Sequence, residues 1–217
     1  MKIKSALTTL VSMALAFPVA VAGCDTYLGY TFMNFPTSPA SFGAGLQVQP
    51  GEDGGATYWI PNVDATFGLG SKLIVKPAIG LCTSTGGPAG FDSGSEVTLG
   101  GGAAVNVFSQ AGTSVNLQAA VTHISYDGGS EQTFPVTAAA RFAAGSAANL
   151  FGGAGLQFSR DSSPGSELDT DPVLFGGVDL GTSVDITVGL MLKFGEDGLG
   201  GSSTDVALNA AFGLPLG

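Results

Sequence analysis

Few residues of this sequence could do chemistry, and one short stretch holds the most suggestive pair. His123 is the only histidine, and it stands two residues before Ser125 in the stretch THISYD. In an extended strand, residues two apart project from the same face. A histidine base beside a serine hydroxyl, oriented by a carboxylate such as Glu131, is the machinery of ester cleavage. The simpler interpretation, which the sequence favours, is a polar residue at the end of a strand.

The counts of the other reactive residues exclude several classes of protein. One histidine and two cysteines leave no His-rich metal site. Seven basic residues against 17 acidic ones argue against nucleic acid as a partner. The acidic stretches 161–171 and 196–197 offer oxygen ligands for Ca²⁺, but their spacing matches no EF-hand. We therefore predict solvated acidic loops, no metal and no cofactor.

The N-terminus has the features of a cleaved signal peptide over residues 1–22. Lys2 and Lys4 precede the apolar run 6–19, and a small-x-small cleavage site follows at residues 20–22. Residues 23–217 then form the mature domain, and Cys24 lies close to its predicted start. The sequence leaves two fates open for this cysteine, a disulfide with Cys82 or lipidation in a lipobox-like context.

The mature chain alternates apolar residues with small or polar ones at a period of two. It is 44% hydrophobic, only 11% charged and contains 35 glycines, and it has no uninterrupted apolar run long enough for a spanning helix. The alternation predicts an all-β protein of about ten strands, with eight or twelve as alternatives. The predicted strands are 40–49, 55–69, 72–82, 96–109, 114–126, 132–144, 148–160, 172–180, 184–194 and 204–214. An earlier strand-like run, Thr26 to Phe35, would pair with a neighbour, merge with the next strand or lie in the lumen.

Strand length and loop length together favour a membrane barrel. Several predicted strands run past the roughly 9 to 11 residues that a tilted transmembrane strand needs. The connections alternate between short turns and long acidic loops, which are predicted at 83–95, 127–132, 161–171 and 196–203. This is the layout of an antiparallel up-and-down barrel in the bacterial outer membrane, with the short turns in the periplasm. A soluble β-sandwich, or a lipoprotein anchored through Cys24, is the structural alternative.

Four charged residues fall on the inward face that this alternation predicts. Asp185 and Lys193 interrupt the apolar stretch SVDITVGLMLKFGED, and both alternate with its apolar residues. Lys76 and Arg141 have the same parity in their strands. A lysine on the lipid face would cost about 2–4 kcal/mol at the bilayer centre, whereas the lumen tolerates it. These residues therefore predict either buried ion pairs or the charged lining of a narrow pore.

The whole pattern resembles the small outer-membrane β-barrel superfamily, which contains the OmpA-like, OmpW-like and OmpX-like barrels. In that superfamily the last strand carries a signal for the barrel-assembly machinery, matched here by Leu208, Ala210 and Phe212 but followed by Pro-Leu-Gly rather than a terminal aromatic residue. The His-x-Ser at His123 and Ser125 looks like that of the lipid A deacylase (PagL-like) barrels. That second resemblance implies an acyl hydrolase acting on lipid A or phospholipid.

The expected function is that of a structural or surface barrel of the Gram-negative cell envelope. A narrow, porin-like passage for small solutes is compatible with the many small inward residues. The acyl hydrolase centred on His123 and Ser125 is the alternative of a different class. The expected partners are outer-membrane lipids and lipopolysaccharide, and the expected state is a monomer.

Overall fold

Alternating apolar and small or polar residues turn ten segments of the chain into β-strands. The computed structural model describes residues 40–50, 56–86, 95–126, 129–162, 165–181, 184–196 and 202–216. The strands are β1 (Ala40–Gln49), β2 (Thr57–Leu69), β3 (Leu73–Thr85), β4 (Ser95–Gln110), β5 (Thr113–Tyr126), β6 (Gly129–Ala143), β7 (Ala148–Asp161), β8 (Asp169–Gly181), β9 (Asp185–Glu196) and β10 (Ser202–Pro215). The predicted strand count is confirmed. The predicted signal peptide, Cys24 and the run Thr26 to Phe35 lie outside the described residues.

The strands close into one antiparallel up-and-down barrel. Each strand pairs with its neighbours in the sequence, and β1 pairs with β10 to complete the ring. Closure leaves no strand edge unpaired, which removes the hydrogen-bonding groups that lipid cannot satisfy. The soluble β-sandwich alternative is therefore wrong, because the chain forms one closed sheet rather than two sheets packed face to face.

The barrel has two unlike rims. At the short-turn rim, β1 begins, β10 ends, and short connections join β2 to β3, β4 to β5, β6 to β7 and β8 to β9. The loop rim carries the other strand ends and the connections 50–56, 86–94, 127–128, 162–168 and 197–201. The predicted long loop at 127–132 is wrong, because the β5–β6 ladder continues through Ser125 and Ser130 to Tyr126 and Gly129.

The outer face of the wall is apolar. Large hydrophobic side chains are exposed on it along every strand, among them Leu46, Phe67, Ile79, Val97, Leu117, Val136, Leu156, Leu174, Leu190 and Leu208. A belt of this extent in water would be an aggregation surface, whereas in a bilayer it meets the acyl chains. Among the described residues, no helix is long and apolar enough to cross a membrane, a finding that does not bear on crossing by strands.

One irregularity interrupts the alternation in β4. The register between β4 and β5 shifts between Asn106 and Phe108, so that Val107 is an extra residue in its strand. A bulge of this kind leaves two successive side chains on similar sides of the sheet. Val107 and Phe108 are accordingly both exposed on the outer face.

The inner face carries two apolar clusters between polar side chains. One cluster joins Ile60, Cys82, Ala104 and Ile124 on β2 to β5. The other lies on β6 to β10 and contains Ala139, Phe151, Val173, Phe175, Met191 and Ala207. In the second cluster, aromatic rings and glycines alternate across β7 and β8, since Phe151 pairs with Gly177 and Phe175 pairs with Gly153. Each ring covers the glycine opposite it, which compensates for the missing side chain.

Candidate functional site

The charged lumen is the candidate site, and Lys193 shows how its charges are arranged. Lys193 of β9 pairs directly across the ladder with Asp205 of β10. Its Nζ lies 2.9 Å from an Asp205 carboxylate oxygen and 3.9 Å from Asp171 of β8. Lys193 therefore lies among carboxylates of both neighbouring strands, which balance its charge.

The other two predicted lumen cations are also paired. Lys76 of β3 lies 3.8 Å from the Asp64 carboxylate of β2. Arg141 of β6 lies 2.6 Å from Asp179 of β8, and the two side chains are only 7% and 13% exposed. Asp179 also accepts a hydrogen bond of 2.7 Å from the Thr187 hydroxyl of β9. Of the two interpretations of these cations, the structure favours buried ion pairs.

Asp185, the fourth predicted lumen charge, lies near Arg141 and Asp179 and interacts with both electrostatically. It stands at the start of β9 on the short-turn rim, where it pairs across the ladder with Gly181 and Gly213. It is half-buried and makes no ion pair with another described residue.

Sequence reasoning missed the carboxylates that complete the ion pairs. Asp64, Asp171, Asp179 and Asp205 all have inward parity within their own strands, so the signal that found Lys193 could have found them. What parity could not give is the pairing, because Asp179 and Arg141 belong to strands that are not neighbours. Two side chains can meet across β7 only if they lie at the same level along the barrel axis, and the pairing register of the strands sets that level.

Neutral polar side chains continue this network around the wall. The Asn106 amide donates to the Asn116 side-chain oxygen across β4 and β5, at 2.9 Å. The Thr137 hydroxyl donates to the Gln118 side-chain oxygen across β5 and β6, at 3.2 Å. Such bonds inside a low-dielectric enclosure rigidify the wall, because a buried polar group is costly when it loses its partner.

Several lumen-facing polar side chains have no contact with solvent. Gln47, Thr66, Thr98 and Gln157 each show 0% exposure, although they lie on β1, β2, β4 and β7. The side-chain oxygen and nitrogen of Gln47 and Gln157 have no hydrogen-bond partner among the described residues. Four polar side chains at separate places around the wall are therefore shielded from solvent.

Cys82 lies in the same enclosed space. Its side chain is 0% exposed, and it packs with Ile60 and Ile124 on the inner face. Cys82 is disulfide-bonded. The only other cysteine of the sequence, Cys24, lies outside the described residues.

The proposed catalytic residues divide between the two faces of the wall. His123 Nε2 lies 3.0 Å from Ser125 Oγ, and both side chains are on the outer face. Glu131 pairs across the ladder with Ile124, whose side chain is buried inside, so Glu131 faces the lumen. The structure thus brings the predicted histidine and serine together and separates them from the predicted carboxylate. His123 Nδ1 has no hydrogen-bond partner among the described residues.

The acidic residues gather towards the loop rim, but those that are described form no cation site. By sequence position, the loops and the strand ends that border them hold Glu52, Asp53, Asp92, Glu96, Asp127, Glu131, Asp161, Glu167, Asp169, Asp171, Glu196, Asp197 and Asp205. The same stretches hold only two basic residues, Arg160 and Lys193. Within the part of the chain that the structure describes, no three His, Cys, Asp or Glu side chains are grouped to hold a metal ion. The rim therefore has a diffuse negative field.

A closed ring of ten strands, with an apolar outer face and a polar lumen, defines an outer-membrane β-barrel. The comparison with solved structures finds similar chains. LpxR from Salmonella typhimurium matches with a TM-score of 0.53 at 10% sequence identity, over 82% of this chain and 85% of that chain. The Neisserial surface protein A matches with a TM-score of 0.40 at 12% identity, over 82% and 96% of the two chains. Ail of Yersinia pestis matches with a TM-score of 0.36 at 13% identity, over the same shares.

The sequence matches no protein-family model and no curated protein. At 10% identity, the similarity to LpxR shows the fold and nothing about activity. The fold and the lipid-facing belt together place this chain in the bacterial outer membrane, as the sequence predicts.

Proposed function

We propose that this protein is a sealed, non-enzymatic barrel that acts as a structural and surface component of the outer membrane. The observation that carries the proposal is the 0% exposure of Gln47, Thr66, Thr98 and Gln157 inside the wall. A conducting porin needs water along its lumen, and polar lumen side chains are the first that such water would reach. The ion pairs of Lys76, Arg141 and Lys193 support the same proposal, because paired charges make rigid walls rather than ion-binding sites.

Planar-bilayer recording of the purified mature protein tests the sealed lumen. We expect no current steps above the lipid background in 1 M KCl, in preparations whose folding is verified by heat-modifiable migration. Reproducible single-channel openings from such preparations would contradict the proposal and favour the narrow passage.

The surface role rests on the negative loop rim. A rigid barrel that carries acidic loops would hold a field of one sign at the outer surface, where it attracts cations and basic partners over about a Debye length. Lipopolysaccharide and the divalent cations that bridge it are the proposed neighbours at this rim. A shift of bound Mg²⁺ in equilibrium dialysis of barrel-containing vesicles, lost at high ionic strength, is the expected result.

Assembly through the last strand is part of the same proposal. Leu208 and Phe212 of β10 are exposed on the outer face, and β10 forms the seam with β1. Side chains so placed are available to the barrel-assembly machinery before the seam closes. We expect Phe212→Ala to lower the yield of heat-modifiable protein in the outer membrane, with Phe67→Ala as the control on another strand.

An acyl hydrolase is the second candidate, favoured by the His123–Ser125 hydrogen bond on the lipid-facing surface. Its weakness is the missing carboxylate, because Glu131 lies on the opposite face of the wall. Without an acceptor for His123 Nδ1, the imidazole is not fixed in the tautomer that a serine nucleophile needs. Mass spectrometry of lipids from cells that express the wild type, His123→Ala and the neighbouring Gln132→Ala tests this candidate. Three identical acylation patterns remove it, and a change specific to His123→Ala restores it.

A further inference from the structure

One part of the outer face is polar, on β5, β6 and β7 near the loop rim. The strand ladders place His123, Gln132 and Arg160 in one row across these strands. Each alternates with buried, inward-facing neighbours, and the Arg160 side chain is exposed. Neighbouring strands lie about 4.8 Å apart, so His123 and Arg160 are separated by roughly 10 Å along the row.

Serine hydroxyls form a second row, nearer to the loops. Ser125 pairs across the ladder with Ser130. The Ser162 hydroxyl oxygen accepts a hydrogen bond from the Ser130 amide at 2.8 Å, and the Ser162 amide donates to the Ser130 carbonyl. Ser125 and Ser162 are exposed, so their hydroxyl groups can donate to an acceptor on the lipid side. We call Ser125, Arg160 and Ser162 the polar patch.

Arg160 supplies the positive charge of the polar patch. The lumen cations Lys76, Arg141 and Lys193 are paired with carboxylates, and Lys72 lies in the turn at the opposite rim. Within the described strands and turns, no carboxylate is within ion-pair distance of the Arg160 guanidinium. An arginine so placed near the membrane interface can form a bidentate contact with a phosphate.

The acidic residues that flank the first row have the opposite parity. Glu131 pairs with Asp161 across β6 and β7, and each is one residue away from the row. Successive side chains of a strand project to opposite faces. A phosphate that approaches from the lipid side therefore meets Arg160 and the serine hydroxyls on the face away from these carboxylates.

An apolar groove on the outer face begins two residues below His123, towards the middle of the membrane. Its volume is about 550 Å³, and its lining crosses β3, β4 and β5 with Val75, Pro77, Gly101, Ala103, Ala119 and Val121. Gly101 pairs with Pro77 on one side and Val121 on the other, and a Cβ added to it would meet no atom within 4 Å. The space above this glycine is open to the acyl chains of the bilayer.

The distance between the polar patch and the groove favours a lipid with a wide headgroup. Arg160 lies on β7 and Gly101 on β4, so they are about 14 Å apart across the wall. A glycerophospholipid carries its phosphate and both acyl chains on one glycerol. Lipid A carries phosphates on a disaccharide to which several acyl chains are attached, so a phosphate and a distant chain can occupy the two places at once.

We propose that the polar patch and the groove together bind one molecule of lipid A from the outer leaflet. Arg160 and the hydroxyls of Ser125 and Ser162 hold a phosphate, and the groove over Gly101 holds one acyl chain. This inference rests on the proposed surface role and names a direct site for its lipid partner. It differs from bridging at the acidic rim, because Arg160 contacts the phosphate without a divalent cation.

Native mass spectrometry of the folded, mature wild-type barrel tests the site. The measurement is made in a maltoside detergent with EDTA present, which removes the cations that bridging needs. We expect bisphosphorylated lipid A to bind one to one, and its dephosphorylated form to bind about tenfold more weakly. Equal affinities of the two forms, or the loss of all binding in EDTA, would overturn the proposal.

Two further ligands distinguish the sources of the phosphate. Phosphatidylglycerol should bind more weakly than lipid A, and excess inorganic phosphate should leave the bound lipid A in place. Equal affinity for phosphatidylglycerol would refute the choice of lipid A. Displacement by inorganic phosphate would show a site for a free anion and refute a lipid site.

Substitution of the arginine tests the charge. Arg160→Met should weaken the binding of lipid A about tenfold, whereas Arg160→Lys should keep most of the affinity. Lys72→Met is the matched control, because it removes the same charge at the opposite rim. An exposed charge contributes little to folding, so all three variants should retain heat-modifiable migration. An unchanged affinity in Arg160→Met, or an equal loss in Lys72→Met, would contradict the site.

A larger side chain beside Gly101 tests the groove. Val121→Phe should place a ring over the glycine opposite it and weaken binding by roughly two- to threefold, since an acyl chain that leaves the groove loses packing but stays in an apolar medium. Val188→Phe is the matched control, because Val188 is equally exposed on β9 across the barrel. Equal effects of the two substitutions would refute the groove.

The outcome for this site can be separated from that of the sealed barrel. A wild type that conducts ions and binds lipid A in EDTA refutes the sealed lumen and leaves the site standing. A silent wild type that binds Mg²⁺ at its rim but binds no lipid A in EDTA refutes the site alone.

Discussion

The Arg141 guanidinium and the Asp179 carboxylate meet at 2.6 Å inside the lumen, although their strands β6 and β8 are not neighbours. Their contact spans β7, and the hydrogen bond from Thr187 to Asp179 extends the cluster to β9. Charge-assisted bonds between poorly hydrated groups are short and directional. This cluster therefore fixes the relative positions of four consecutive strands from the inside.

Removal of the arginine should destabilise the barrel more than removal of an exposed charge. Arg141→Met leaves the Asp179 carboxylate without its cation, which costs about 3–5 kcal/mol for a buried pair. The free energy of unfolding in urea, followed by fluorescence of Trp59, the only tryptophan, should fall by that amount. Arg160→Met is the control, since Arg160 is exposed. Because an apolar pair of similar size is often as stable, the double variant Arg141→Met, Asp179→Leu should recover most of the loss. Equal losses in the single and double variants would contradict this account.

A lysine on the lipid face of β9 should be far less tolerated than Lys193 in the lumen. Leu190 lies midway along β9 on the outer face, so Leu190→Lys should lower the free energy of unfolding by about 2–4 kcal/mol in lipid vesicles. Val184→Lys, on the same face but at the short-turn rim, should cost no more than about 1 kcal/mol. If both substitutions cost the same, the membrane-embedded face has been assigned wrongly.

The aromatic–glycine pairs of β7 and β8 make a matched test of packing inside the wall. A Cβ on Gly153 would overlap the ring of Phe175 and the backbone carbonyl of Ala138. Overpacking of this kind costs about 1–3 kcal/mol, so Gly153→Ala should lower the urea midpoint of unfolding. Gly152→Ala is the control on the same strand, because its Cβ would meet only an ordinary contact with the Phe175 carbonyl at 3.5 Å. Equal effects of the two substitutions would contradict the packing argument.

The two rims should differ in accessibility from outside the cell. An epitope tag inserted between residues 163 and 164, in the connection from β7 to β8, should bind antibody on intact cells. A tag inserted between Gly145 and Ser146, at the short-turn rim, should bind only after the outer membrane is permeabilised. The reverse result would invert the orientation of the barrel.

The sequence by itself determined which face of each strand a residue occupies. Period-two alternation predicted the strand ends to within a few residues, and it predicted that Lys76, Arg141 and Lys193 face inward; each of the three forms an ion pair with a carboxylate of another strand. This worked because the lipid and the lumen impose opposite chemistry on successive residues, so the pattern is local and strong along a single strand.

Only the tertiary structure decided which residues meet across strands. The sequence could not show that β5 and β6 are joined by the two residues 127–128, and that length sets the register in which Glu131 faces the lumen beside Ile124. It could not show the extra residue Val107, which puts Phe108 on the lipid face. Partners such as Arg141 and Asp179 depend on the stagger accumulated over several strands, and stagger is a property of the closed ring. The alternation along one strand therefore predicts which side of the wall a side chain occupies. The register between strands decides which side chains meet there.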